Sequence, residues 1–240
     1  MIKAILFDFG LTLVHSKRWF DIEVETLVGD SLDILKEKGI IELSKEEYFM
    51  ARNFYIELRE EARKTGKEIT AFNTIDSALI NLGIKLKKEV INSAIEQLYR
   101  ECLPTIRLGN GVEETLNRLV KDGYILSIIS NAHYSPFIFW VLDKFKIRKY
   151  FNDVIVSAGV GERKPFAKIF KIALNRLNIK PEEAFFVGDY YPYDIVGAKN
   201  AGMKTFWLTS EKGNKRRKFA DYVISDISEI LAHLRVKKNI

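Results

Sequence analysis

The chain has 240 residues, of which 47% are hydrophobic and 29% charged, with a formal net charge of +6 and a pI near 9.2. These totals describe a soluble globular protein built as one large domain, or as one domain carrying an insertion. No apolar run is long enough to span a bilayer, Met1 leads into a strand-like segment rather than a signal peptide, and the one cysteine, Cys102, excludes an internal disulfide. A cytoplasmic protein is expected, with Cys102 a packed thiol rather than a nucleophile.

Much of the positive excess sits in Lys212 to Lys218 and in Arg235-Val236-Lys237-Lys238. Neither run interleaves aromatic residues or matches a nucleic-acid module, so no nucleic-acid partner is expected. The first reads as a loop before the strand-like Tyr222-Val223-Ile224, and the second as the end of a helix, where cations complement the dipole.

In chain order, Ile2 to Phe7 is a short apolar run without alternation, the pattern of a strand buried on both faces. Similar runs recur at Tyr124 to Ile129, Val154 to Ser157, Ala184 to Val187 and Lys204 to Leu208. Helical stretches separate them at Gly111 to Lys121, Pro165 to Leu177 and Ile195 to Ala201. Strands alternating with helices predict a doubly wound, Rossmann-like α/β core around a parallel sheet. Residues 16–104 break that alternation and read as helical throughout. A first helix runs from Trp19 to near Gly39, and a second opens on the capping box Ser44-Lys45-Glu46-Glu47 and stops at Gly66. Two more follow, around Asn73 to Leu82 and Lys87 to Tyr99. The core is therefore assigned to residues 1–15 and 105–240, and an inserted helical bundle to 16–104, joined by connections on which it can move as a lid.

Four short motifs fall at the predicted strand ends, where open parallel sheets bind ligands. Asp8, in Phe7-Asp8-Phe9-Gly10-Leu11-Thr12, suits a nucleophile on phosphorus; its other reading is a turn residue. Ser130-Asn131 offers a hydroxyl and backbone N–H groups to phosphoryl oxygens, or forms a simple turn. Lys164 before Pro165 is a fixed cation at the start of a helix, or solvated surface. Asp189 and Asp194, in Gly188-Asp189-Tyr190-Tyr191-Pro192-Tyr193-Asp194, suit a hard divalent cation, or else a Gly-Asp turn with Asp194 capping the next helix.

Together, Asp8-Phe-Gly-Leu-Thr12, Ser130-Asn131, Lys164-Pro165 and Gly188-Asp189 through Asp194, followed by Val196 to Met203, resemble the haloacid dehalogenase (HAD) superfamily, in particular members with a helical C1 cap. The resemblance implies an Mg²⁺-dependent hydrolase of small phosphate monoesters or acyl phosphates that works through an aspartyl phosphate. By it, Asp8 is nucleophile and metal ligand, the Gly10 carbonyl a second ligand, and Asp189 and Asp194 further members of the metal shell. Ser130 binds the phosphoryl group, Lys164 neutralises charge, and Thr12 and Asn131 join the substrate site. The implied partner is a small phosphorylated metabolite, and the implied state a monomer or homodimer.

One position departs from that pattern. Family phosphatases place a second Asp two residues after the nucleophile, where it protonates the leaving oxygen; here Gly10 stands there. Proton transfer from a positioned side chain is worth roughly 10²–10⁴-fold. Three outcomes follow: turnover of activated substrates that need little protonation, replacement of the acid by His15 or His133, or phosphate-ligand binding with little turnover. A 2-haloacid dehalogenase also lacks the second Asp, but an extra carboxylate at Asp189 repels an anionic haloacid unless a cation is bound. Tyr190, Tyr191 and Tyr193 are candidates for the wall of the site or for aromatic packing against the insertion, and Trp19 and Arg18 share that ambiguity.

Overall fold

A computed structural model describes the backbone of residues 1–210 and 218–236, and the side chains of these as far as Leu234. Most of the Lys212 to Lys218 run, and the side chains of the Arg235 to Lys238 run, lie outside the described residues. Chain order begins with β1 (Ala4–Phe7), β2 (Val14–His15), α1 (Lys17–Asp21), a π-helical turn at Ile22–Thr26, and α2 (Leu27–Glu37). The long helix α3 (Lys45–Thr65) follows, then α4 (Ala71–Asn81), α5 (Lys88–Cys102), β3 (Arg107–Leu108) and α6 (Val112–Lys121). The chain continues through β4 (Ile125–Ser130), α7 (Ser135–Lys144), β5 (Asp153–Val156), α8 (Ser157–Val160) and α9 (Ala167–Leu177). It ends with β6 (Ala184–Gly188), α10 (Ile195–Asn200), β7 (Lys204–Leu208), β8 (Tyr222–Ile224) and α11 (Glu229–Val236).

Six strands form one sheet in the order β5-β4-β1-β6-β7-β8, with every neighbouring pair parallel. This is the doubly wound α/β sheet, with helices on both faces, that the strand–helix alternation predicts. Strand β1 lies in the middle, Ala4 to Phe7 in register with Ile125 to Ile128 on one side and Ala184 to Val187 on the other. All four of its residues are fully buried. Ile5 and Phe7 enter one apolar cluster, whereas Ala4 and Leu6 enter another with Ile129, Phe170 and Phe186. Period-two alternation between two dry faces explains why β1 reads as an unbroken hydrophobic run.

Helices occupy Lys17 to Cys102, between β1 and the rest of the sheet. Their apolar faces and those of the core pack into one continuous cluster, in which Trp19, Leu35, Tyr55 and Tyr99 join Phe9 and Phe137. The two connections pair with each other as a short antiparallel ribbon, Val14 opposite Leu108 and His15 opposite Arg107. Cys102 is buried and free. Among the described residues, no helix is long and apolar enough to cross a membrane.

Several boundaries move. The first strand starts at Ala4 rather than Ile2, and the first helix is broken by the π-helical turn. Pro165 is not in a first helical turn: the Lys164–Pro165 peptide is cis, Phe166 is the N-cap, and the helix begins at Ala167. Helix α3 has the expected capping box, with Ser44 Oγ accepting from Glu47 N and the Glu47 carboxylate accepting from Ser44 N.

Gly66 ends α3 with φ +75°, in the left-handed region. A Cβ at this position would lie 2.5 Å from the ring of Phe166, the N-cap residue of α9. Gly66→Ala is therefore expected to lower the unfolding free energy by about 1–3 kcal/mol, through backbone strain and displacement of that ring. The midpoint of urea unfolding tests this; an unchanged midpoint contradicts it.

Candidate active site

The carboxyl ends of the central strands carry the motif residues together. Asp8 follows β1, Ser130 ends β4, Lys164 follows β5, and Asp189 follows β6. These strands are neighbours in a parallel sheet, so their ends open on the same side, at the point where the strand order reverses. Asp8, Ser130, Lys164 and Asp194 are all buried. Asp8, Asp189 and Asp194 each offer one carboxylate oxygen, and these oxygens lie within 4.8 Å of one another.

One ammonium group faces this acidic set. Lys164 Nζ donates to Asp8 Oδ1 at 2.5 Å and to Asp194 Oδ1 at 2.7 Å. Burial opposes its charge, but Asp194 and Asp8 outweigh burial and hold the ammonium well above its ordinary pKa. Burial, reinforced by the Asp8 and Asp194 charges, pushes the Asp189 carboxyl up to about 8. Burial likewise raises Asp194 to about 6, although Lys164 pulls against it. Three close carboxylates with one ammonium cannot all ionise at neutral pH without further positive charge. Their oxygens are the donor type that Mg²⁺ takes, in a count that leaves positions for water and a phosphate oxygen. The residues present therefore fit such an ion.

Neighbouring residues fix these groups. Asn131 clasps the Lys164 backbone, Nδ2 donating to the Lys164 carbonyl and Oδ1 accepting from its N–H. Thr12 Oγ1 donates to Asp189 Oδ1 at 3.1 Å, and the Trp207 indole N–H donates to the Asp189 carbonyl at 2.9 Å. Asp194 stands at the N-cap position of α10, but its carboxylate does not cap the helix: Oδ2 accepts the Tyr190 N–H, while Oδ1 takes Lys164. Gly188 is needed for close approach, since a Cβ there would lie 2.5 Å from the Asp194 side chain.

Above the carboxylates lies a cavity of about 450 Å³, in the size range of small-metabolite sites. Asp8, Gly10, Ser130, Asn131, Lys164, Asp189 and Asp194 line its floor. The helical insertion supplies the opposite wall with Trp19, Glu23, Arg59, Arg63 and Glu68. Trp19 covers Gly10: a Cβ on Gly10 would meet the indole at 3.0 Å. The Trp19 indole N–H donates to Glu23 Oε1, which also accepts from Tyr99 Oη, while Glu23 Oε2 accepts the His133 N–H. Glu68, in the segment after α3, accepts from Arg59 Nη1 at 3.2 Å and from Ser157 Oγ at 2.8 Å. Its carboxyl stays below its usual pKa despite burial, because the Arg163 and Arg59 guanidinium groups lie beside it and Ser157 donates to it.

Four expected substrate contacts differ. Thr12 and Asn131 spend their polar atoms on Asp189 and Lys164, as above, so they position site residues. His15 is an exposed ribbon residue outside the cavity lining. His133 is also outside that lining: it is buried beneath the insertion, with Nδ1 2.8 Å from the Ile69 carbonyl and Nε2 3.5 Å from Tyr55 Oη. Burial lowers its pKa, so the ring is a neutral structural group. Tyr190 and Tyr193 line the cavity, whereas Tyr191 packs on Trp207 with ring centroids 4.9 Å apart. Arg18 pairs with Asp30 at 2.8 Å. Sequence reasoning missed Glu23, Arg59, Arg63, Glu68 and Arg163 as cavity residues; of these, only Arg163 carried a signal, being next to Lys164.

Comparison with known proteins agrees with this arrangement. Residues 5–208 match the family model of haloacid dehalogenase-like hydrolases. The chain is 29% identical over 239 residues to a glyceraldehyde 3-phosphate phosphatase of Pyrococcus furiosus, covering 96% of this chain and 92% of that one. It superposes on a HAD phosphatase from Thermococcus onnurineus with a TM-score of 0.67 at 25% identity, over 97% of this chain and 98% of the other. A 2-haloacid dehalogenase from Pseudomonas syringae shares the fold, with a TM-score of 0.74 at 22% identity over 99% of this chain and 100% of the other. With its parallel sheet, its strand-end residues and a match over most of its length, the chain is an enzyme of the haloacid dehalogenase-like hydrolase family.

Proposed function

We propose that this enzyme is an Mg²⁺-dependent phosphatase that hydrolyses small phosphate monoesters or acyl phosphates through an aspartyl phosphate at Asp8. The observation that carries this reading is the meeting of Asp8, Asp189 and Asp194 oxygens within 4.8 Å, with Lys164 bridging Asp8 and Asp194. Asp8, Asp189, Asp194 and the Gly10 carbonyl would hold the ion, which when bound neutralises phosphoryl charge and aligns the transferring group. Relatives named as phosphatases support the same reaction class. Three clustered carboxylates disfavour a metal-free attack on an anionic haloacid, which leaves dehalogenation without a supporting observation.

In the proposed reaction an Asp8 oxygen attacks phosphorus, the bond to the leaving oxygen breaks, and that oxygen departs with the electron pair. Lys164 Nζ, already bonded to Asp8, balances charge as the acyl phosphate forms, and Ser130 together with nearby backbone N–H groups binds the phosphoryl oxygens. Water then attacks this acyl phosphate, releasing phosphate and restoring Asp8. The helical insertion of residues 16–104 serves as the cap over these steps, with core residues 1–15 and 105–240 beneath it. Gly10 supplies no proton to the leaving group, and the indole of Trp19 occupies the space above it. Acetyl phosphate releases acetate, which needs no proton at neutral pH, whereas an alkyl ester releases a strongly basic alkoxide.

Asp8→Asn is expected to reduce acetyl phosphate hydrolysis on the order of 10³-fold or more. Near wild-type turnover of that variant rules out the nucleophile. Wild-type kcat for acetyl phosphate is expected to exceed that for glycerol 3-phosphate by roughly 10²-fold or more, the scale of the missing proton transfer. Gly10→Asp narrows the gap only when Trp19→Ala makes room for the new carboxyl; an equal gap in the double variant shows that proton supply is not limiting.

Asp189 also dictates a pH dependence without metal. A carboxyl whose pKa rises from 3.8 unfolded to about 8 folded binds its proton more tightly in the native state. Its contribution to stability is therefore complete at low pH and is lost as pH rises through about 8. His133, whose folded pKa is lowered, acts in the opposite sense, but its contribution is finished above roughly pH 7. Thermal unfolding with a chelator should thus show falling stability between roughly pH 7 and 9, and Mg²⁺ or Asp189→Asn should remove the slope. A slope indifferent to both counts against this account of Asp189.

A further inference from the structure

Where the insertion wall of the cavity meets the core stands an arginine whose guanidinium makes no hydrogen bond to the described residues. Arg163 is 2% exposed and lines the cavity, one residue before Lys164. Its Nη1 is buried without a hydrogen-bond partner and is held only by an ion pair with Glu68 Oε1 at 3.5 Å. Arg59 stands on the same wall with its side chain 11% exposed, donates from Nη1 to Glu68 Oε1, and leaves Nε buried and unpaired. Arg63, exposed, lines the same cavity. Buried guanidinium groups normally satisfy their donors, and their planar fork matches the two oxygens of a carboxylate or phosphoryl group.

Two carboxylates share this wall, and both are already occupied. Glu68 Oε1 accepts from Arg59 and the Ile69 N–H, and its Oε2 from Ser157. Glu23 accepts from the Trp19 indole, Tyr99 Oη and the His133 N–H. Glu68 is the only carboxylate paired with a wall arginine among the described residues, so two guanidinium groups share a single counter-charge.

We propose that Arg163, with Arg59 beside it, forms a subsite for a second oxyanion on the substrate, so that the preferred phosphate compounds carry a carboxylate or a further phosphoryl group. This deepens the phosphatase reading and rests on it. The reacting phosphoryl group sits over Asp8 against Lys164 and Ser130, and the second anion reaches the wall where Arg163 stands one residue away from Lys164. A neutral tail of similar size leaves the guanidinium donors unpaired in a dry wall and binds less well.

The test uses the wild-type chain with Mg²⁺ and acetyl phosphate as substrate, and measures competition by three primary alkyl phosphates. These are 3-phosphoglycerate, with a carboxylate; propane-1,3-diol bisphosphate, with a second phosphoryl group; and glycerol 3-phosphate, with an uncharged tail. At least one doubly anionic compound is expected to compete about 10- to 100-fold better than glycerol 3-phosphate, the span of a charge-assisted hydrogen bond. Which of the two leads identifies the oxyanion. In Arg163→Gln the ratio should collapse to within about 3-fold, and in Arg59→Gln it should fall part of the way. Arg59→Gln carries the test if Arg163→Gln does not fold. Equal competition by all three compounds in the wild type overturns the subsite, as does a ratio unchanged in the variants that fold. Absence of acetyl phosphate turnover counts instead against the phosphatase reading; calorimetric titration of the same three compounds then reads the subsite, with the same ratios deciding.

Discussion

A single ammonium group, Lys164 Nζ, stands between Asp8 and Asp194 where water scarcely reaches. Among the described residues it is the one cation paired with this set of three carboxylates, whose oxygens converge within 4.8 Å; it contacts two of them and does not match their charge. An isolated buried carboxylate shifts toward its neutral form, and Asp189, raised to about 8, does so here. Such a cluster lowers stability rather than raising it, so its persistence needs a scaffold that forces the groups together. The parallel sheet is that scaffold. The ends of β1 and β6 are fixed side by side by ladder bonds from Ala4–Ala184 to Phe7–Val187, and Asn131 pins the backbone of Lys164 from the end of β4. The absence of a Cβ at Gly188 lets Asp194 fold back over the strand end.

The helical insertion meets this centre through specific bonds as well as apolar packing. Residues 66–71 run against the core: Arg163 N–H donates to the Gly66 carbonyl, Glu68 N–H to Gly161, and Ala71 N–H to His133. Lys67 pairs with Glu162, and Glu68 reaches Ser157. This contact places Arg59 and Glu68 on the cavity wall and brings Arg163 beneath them. Trp19, held by Glu23, closes the cavity over Gly10 from the other end of the insertion. The wall thus has an apolar part above Asp8 and a cationic part beside Lys164.

The strand-end motifs were legible in the sequence because their position follows from burial. A short apolar run that ends in Asp8, Ser130 or Gly188-Asp189 places those residues at the carboxyl edge of a parallel sheet, whatever else the chain does. The role of a residue inside that edge was less legible. Asn131 and Thr12 read as substrate groups, yet their amide and hydroxyl groups satisfy Lys164 and Asp189, an outcome set by spacing of a few ångströms. Asp194 read equally well as a helix cap; only the fold shows its carboxylate turned to Lys164 and the Tyr190 N–H. His133 follows a motif in sequence but points under the insertion, because Tyr55 and Ile69 from the bundle meet its ring. Glu23 and Arg59 gave no signal at all, nor did Glu68 in the segment after α3. Charged residues on an amphipathic helix usually face solvent, and nothing in a helical period says which solvated face will be turned onto a neighbouring sheet.

In the proposed phosphatase reaction, Gly10 and Arg163 would address one energetic problem from two sides. Without a proton donor over the leaving oxygen, the barrier for an unactivated ester stays higher by the worth of that proton transfer, roughly 3–5 kcal/mol for 10²–10⁴-fold. Contacts to a part of the substrate that does not react can offset such a deficit only when they hold the reacting atoms in line with the nucleophile, since uniform binding lowers KM and leaves kcat unchanged. A guanidinium whose backbone neighbour carries the Lys164 ammonium is well placed for this. Its chain is fixed at both ends of the dipeptide, by the Gly66 carbonyl on Arg163 N–H and by Asn131 on Lys164, so an anion seated on Arg163 has little freedom relative to Asp8. On this view the glycine at position 10 and the buried arginine at 163 belong together: a site that protonates poorly gains most from substrates it can grip at two charged points.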